Sequence, residues 1–139
     1  MTLNSIAFIP DGNRRYAATH HLPLALAYQQ GTQRSWEVMQ WLGDYPKIKV
    51  ATFYTLSLEN ITRSTTEMNV LFSIFEKEAD KILKEEVFKT HEFAIKFLGQ
   101  LERFPERLKG KMDLIQQRSQ DYTKRMINVA IGYNGRTEI

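Results

Sequence analysis

Four short runs of apolar, β-branched and aromatic residues alternate with stretches whose apolar residues recur at helical spacing, and this alternation restricts the fold more than any other feature. Ile6-Ala7-Phe8-Ile9 reads as a buried strand that stops at the loop Pro10-Asp11-Gly12-Asn13. A helix signal follows at Arg14 to Ala18, then a longer one with Leu24, Tyr28, Gly31, Ser35, Val38 and Leu42 on one face. Gly43 stands where a left-handed C-cap is expected. Lys49 to Leu56 is a second strand. Ser64-Thr65-Thr66-Glu67 is a capping-box pattern, and it opens a helix over 66–88 with Met68, Leu71, Phe75, Ala79 and Ile82 in its apolar stripe. Val70 and Ile74 widen that stripe beyond the needs of a surface helix. Phe93 to Leu98 and Met126 to Tyr133 complete the strands, with a helix over Pro105 to Gln117 between them. Strands separated by helices imply an α/β fold with a mostly parallel sheet, covered by helices on both faces. At 139 residues the expectation is a single domain over 1–139.

Composition removes several function classes. With 42% apolar and 25% charged residues the chain suits a packed core rather than a disordered tail. Nineteen basic residues against 16 acidic ones give a net charge of +3, which fits an anionic small ligand or an acidic membrane surface. It does not give the dense basic stripe that nucleic acid calls for, so no nucleic-acid partner is expected. The absence of cysteine excludes disulfides and thiolate metal sites. Met1 to Pro10 has no basic leader followed by an apolar stretch, and no apolar run approaches the roughly 18 residues of a spanning helix. A cytoplasmic location is the expectation, with peripheral membrane association when lipid is handled. His20, His21 and His91 show no metal-ligand spacing with carboxylates and are expected at the surface.

The chemistry-bearing residues gather where strands end. Asp11-Gly12-Asn13-Arg14-Arg15 lies at the carboxyl end of the first strand, the edge at which open α/β sheets bind ligands. A glycine lets backbone approach an anion, and unpaired N–H groups at a helix start point toward it. Two arginines supply forked donors for phosphate oxygens. An aspartate beside phosphates is a usual way to hold Mg²⁺. On local grammar alone the same residues read equally well as an Asp-Gly turn with two solvated arginines. Ser57-Leu58-Glu59-Asn60-Ile61-Thr62-Arg63 follows the second strand and reaches the same edge in a parallel sheet. Taken alone it is an ordinary polar loop leading to the Ser64 cap. Lys96 to Gly99 with Arg103, and Asn128 to Arg136, deliver further Gly and Arg residues there.

These loops resemble one family in one order. Ile6 to Ala17, containing Pro-Asp-Gly-Asn-Arg-Arg, looks like the first signature of the cis-prenyltransferases. Phe53 to Asn60 followed by Arg63 is similar to the second, and Lys96 to Gly99 and Asn128 to Arg136 resemble the third and fourth. The likeness runs from Ile6 to Ile139, and Ala27-Tyr28 before Gly31 resembles archaeal or eukaryotic-type members.

The resemblance implies condensation of isopentenyl diphosphate with an allylic prenyl diphosphate to give a polyprenyl diphosphate with cis double bonds. It makes Asp11 a catalytic residue associated with Mg²⁺, and Asn60 a second residue needed for condensation. Gly12, Asn13, Arg14 and Arg15 hold the diphosphate, with Ser57, Glu59 and Arg63 beside them. It also implies homo- or hetero-oligomers. The alternative is a non-catalytic allylic-diphosphate-binding subunit of a heteromeric prenyltransferase, which retention of Asp11, Arg14, Arg15, Asn60 and Arg63 argues against. A phosphate-binding α/β domain unrelated to isoprenoids would need the order of the motifs to be coincidence. Two departures stand out. Bacterial members have an Arg and a His at the positions of Leu24 and Tyr28, so contacts there are supplied differently. The family also continues beyond the position of Ile139 with the segment that binds isopentenyl diphosphate, so this stretch is expected to be an N-terminal part with little or no activity alone.

Overall fold

The computed structural model describes residues 3–57 and 64–138. Four strands, β1 (Ser5–Phe8), β2 (Val50–Ser57), β3 (Ala94–Leu98) and β4 (Met126–Tyr133), form one sheet in the order β1-β2-β4-β3. Every neighbouring pair is parallel, with Phe8 opposite Phe53, Phe53 opposite Val129 and Phe97 opposite Val129. Parallel neighbours need long crossovers, and the helices supply them. They are α1 (Asn13–Thr19), α2 (Leu24–Trp41), α3 (Thr65–Glu85), α4 (Val87–His91), α5 (Glu106–Ser119) and α6 (Gly135–Glu138). None of the described helices is long and apolar enough to cross a membrane.

Alternation along the strands decides which face is buried. Ile6, Phe8, Phe53, Ile95, Phe97, Ile127, Val129 and Ile131 share one face and join a core with α2, α3 and α5. The other face carries exposed Ser5, Ala7 and Lys96 and half-buried Thr52 and Asn128. Helix cover on both faces is therefore corrected for the described residues: α2, α3 and α5 form one layer on one face. The polar positions alternating within β1, β3 and β4 carry that one-sided pattern. At the sheet edge α5 caps β3. The Ile95 and Phe97 N–H groups donate to Ser119 Oγ at 2.9 Å and Gln116 Oε1 at 2.8 Å. A free strand edge is thereby closed.

Two helix ends differ from expectation. After Trp41 the backbone stays right-handed at Leu42 and tightens into a 3₁₀ turn over Leu42–Asp44, so Gly43 is not a left-handed cap. The helix expected over 66–88 breaks at Glu86, whose φ of 47° is left-handed, and resumes as α4. At its other end the capping reading holds: Ser64 Oγ accepts from the Glu67 N–H at 3.2 Å. His20 and His21 are exposed as expected, but His91 is half-buried, stacked on Phe93 with centroids 5.8 Å apart.

Candidate functional site

Because all strands run the same way, the loops after β1 and β2 leave from one rim of the sheet. After β1 the chain turns through Pro10-Asp11 and enters α1 at Gly12, whose φ is 95°. The Gly12 N–H donates to Asp11 Oδ1 at 2.7 Å, a local bond that fixes the carboxylate beside the turn. Arg15 reaches Asp11 Oδ2 at 3.6 Å, but both side chains are largely exposed. Such a pair is weakly held and can reorganise around a ligand at little cost.

Asn13 and Arg14 are placed by longer-range contacts. α2 passes close to the start of α1 at Gly31, where a Cβ would lie 2.3 Å from Asn13 Oδ1. Arg14 Nε stands 3.6 Å from Glu67 Oε1 in the first turn of α3. The buried Tyr28 hydroxyl of α2 donates to the same carboxylate oxygen at 2.9 Å. Tyr28 thus pairs with a carboxylate behind Arg14.

Two spaces meet here. A polar cleft of about 710 Å³ is lined by Asp11, Gly12, Asn13, Arg14 and Arg15, with Thr55 and Leu56 of β2 on its far side. An apolar cavity of about 180 Å³ lies between the sheet, α2 and α3. Pro10, Asn13, Tyr28, Thr55 and Leu71 line both, so the cleft and the cavity adjoin along one wall. Ile74, Phe75, Ala79 and Ile82 make its α3 wall. Across it Trp36 Nε1 donates to Glu78 Oε2 at 2.5 Å, with Lys81 Nζ 4.6 Å from the indole centroid. The arrangement suits a molecule with an anionic head and an apolar tail.

The five residues of the first motif come together in this cleft. Ser57 lies on the same rim, half-buried opposite Tyr133 of β4, while Thr55 and Leu56 make the nearby cleft wall. Glu59, Asn60 and Arg63 lie outside the described residues. The third and fourth motifs are placed differently. Lys96 is exposed on the sheet face away from the cavity that Phe97 lines. Gly99 serves a close backbone approach, since a Cβ there would fall 1.9 Å from the Ile131 carbonyl oxygen. Asn134 Oδ1 accepts from the Arg136 N–H at 2.9 Å and so caps the start of α6. Sequence reasoning missed Glu67 as more than a capping residue, and the part that Trp36 and Glu78 play in the cavity wall. The buried position of an acid within an apolar stripe was the available signal for Glu67.

Comparison with known proteins agrees with this architecture. Residues 9–139 match the family described as "Putative undecaprenyl diphosphate synthase". A tritrans,polycis-undecaprenyl-diphosphate synthase (geranylgeranyl-diphosphate specific) of Pyrobaculum aerophilum is 34% identical over 134 residues, covering 96% of this chain and 56% of its own. An isoprenyl transferase of Thermus thermophilus is 29% identical, covering 96% and 51%. The crystal structure of lavandulyl diphosphate synthase from Lavandula x intermedia, in complex with dimethylallyl diphosphate, superposes with a TM-score of 0.90 at 26% identity. It covers 98% of this chain and 57% of that one. The chain spans about half the length of the curated relatives it matches. With its parallel sheet, single helix layer and rim-side cleft, this chain belongs to the undecaprenyl diphosphate synthase family of prenyltransferases.

Proposed function

We propose that residues 1–139 form the allylic-diphosphate-binding, N-terminal part of a cis-prenyltransferase domain. The observation that supports this most directly is that the arginine-bearing cleft adjoins the apolar cavity along a wall shared by Asn13, Tyr28 and Thr55. An allylic prenyl diphosphate has that same division, and the relatives' names suggest geranylgeranyl diphosphate as the primer.

In this reading Arg14 and Arg15 face the diphosphate oxygens and the Gly12 turn lets backbone come close. Fixed positive charge beside the departing diphosphate stabilises the negative charge that grows as its C–O bond breaks. The double bond of isopentenyl diphosphate attacks the allylic carbon, and a proton is lost to leave a cis double bond in a chain one unit longer. The cavity shelters the tail and keeps water from the allylic cation. Asn60 is proposed as the second catalytic residue, with Ser57, Glu59 and Arg63 alongside. The site for isopentenyl diphosphate is proposed to come from the part of the relatives' length that this chain does not span, in a homo- or hetero-oligomer working in the cytoplasm beside the membrane.

Asp11 fits Mg²⁺. Its exposed carboxylate sits at the cleft, where phosphate oxygens and waters would complete the coordination of an ion. That is the usual Mg²⁺ arrangement, with one or two carboxylates completed by phosphate oxygens and waters. When bound, the ion supplies charge that neutralises the leaving diphosphate.

The test is incorporation of labelled isopentenyl diphosphate onto geranylgeranyl diphosphate. It is run with this chain alone and with the chain completed by the remaining length of a relative. The expected result is product only in the completed form, lost in Asp11→Ala. Activity unchanged by Asp11→Ala would contradict the assignment.

A further inference from the structure

One charge is buried behind Arg14 and Tyr28, two residues that line the cleft. Glu67 is only 7% exposed, while Asp11, Arg14 and Arg15 beside it are open to solvent. A carboxylate withdrawn from water is costly unless its oxygens are paired. Its role in starting α3 does not explain the charge. The cap uses the Glu67 backbone N–H on Ser64 Oγ, and any non-proline residue offers that N–H. Among the described residues, the carboxylate joins two side chains from separate elements: the Tyr28 hydroxyl from α2 and the Arg14 guanidinium from α1.

We infer that Glu67 is a positioning residue, whose carboxylate holds Arg14 by its Nε so that the terminal amino groups of the guanidinium are presented to an anionic head group, with Tyr28 as the clamp that orients the carboxylate. This rests on the reading of the cleft as a diphosphate site. Arg14 is 62% exposed, and an arginine so free loses rotamer entropy whenever a ligand fixes it. An anchor at Nε removes part of that loss in advance. Tyr28 also lines both the cleft and the cavity, so one carboxylate braces the junction of head and tail. The negative charge of Glu67 opposes anion binding in principle, but Arg14 and the helix N-terminus already offset it. Positioning is therefore the larger effect.

The experiment is calorimetric titration of the chain with inorganic pyrophosphate in the presence of Mg²⁺. It compares wild type, Glu67→Gln, Tyr28→Phe, Arg14→Ala and the Glu67→Gln/Arg14→Ala pair. Gln keeps the shape and an acceptor for the Tyr28 hydroxyl, and thermal unfolding checks each fold. Arg14→Ala is expected to weaken binding at least about tenfold, Glu67→Gln about fivefold and Tyr28→Phe less, and the double variant no more than Arg14→Ala alone. Tighter binding in Glu67→Gln, or a full further loss in the Arg14→Ala background, would overturn the inference and leave the diphosphate reading standing. Arg14→Ala with unchanged binding would remove both.

Discussion

Asn13 can stand at the mouth of the cavity only because position 31 has no side chain. A Cβ at Gly31 would meet the Asn13 amide oxygen at 2.3 Å. That oxygen ends a short, rotatable side chain, so Gly31→Ala would be relieved by swinging the amide rather than by moving α2. The cost should fall on the site: unfolding free energy should change by no more than about 1 kcal/mol, while pyrophosphate affinity drops several-fold by titration. A loss of fold without prior loss of affinity would place the importance of Gly31 in packing instead. The Asp-Gly-Asn-Arg-Arg run was legible as a possible anion loop because its residue types and its position after a strand both point there. Glu67 was not. Its backbone N–H does satisfy a cap, and that local explanation hid a side chain whose partners lie 39 and 53 positions earlier in the sequence.

At the scale of elements, α3 does two jobs along its length. Its first turn brings Glu67 to Arg14 and Tyr28, and its middle turns line the cavity with Ile74, Phe75 and Ala79. The apolar stripe was too broad for a surface helix, and the extra width is what walls the cavity. Ala79 is 4% exposed at that wall. Replacing it by Phe should fill the space, leaving dimethylallyl diphosphate binding near wild type and weakening geranylgeranyl diphosphate about tenfold or more, by titration with each. At the sheet edge, Ser119 is fully buried and its hydroxyl takes the Ile95 N–H. Ser119→Ala leaves that donor unpaired, so chemical denaturation should show a loss of about 1–3 kcal/mol. Across the same side, Lys111 bridges Asp80 and Glu76 of α3 at 2.7 and 2.9 Å, tying α5 to α3. Its pKa is raised by the hydrogen bond to Asp80 and then by that to Glu76. With the folded value above the ordinary one, this tie acts fully at neutral pH and is lost only as pH rises through the raised value. The break at Glu86 had no signal in the sequence, since glutamate is no common left-handed residue.

For the molecule as a whole, the order of strands and helices was readable because period two and period 3.6 alternate cleanly. The helices were expected on both faces, although exposed Ser5 and Lys96 alternate with half-buried Ile6 and Phe97 and buried Ile95 in β1 and β3. The single layer matters for the proposed function, because it places α2 and α3 side by side over the sheet with a cavity that adjoins the cleft of Asp11 to Arg15. In the proposed reading, head and tail are recognised by one continuous site. The direct test is calorimetry of the chain with inorganic pyrophosphate, geranylgeraniol and geranylgeranyl diphosphate, each with Mg²⁺. The expected result is that the diphosphate ester binds at least about a hundredfold more tightly than either fragment, since burying even part of its tail adds about 0.8 kcal/mol per CH₂. Equal affinity for pyrophosphate and geranylgeranyl diphosphate would contradict the continuous site.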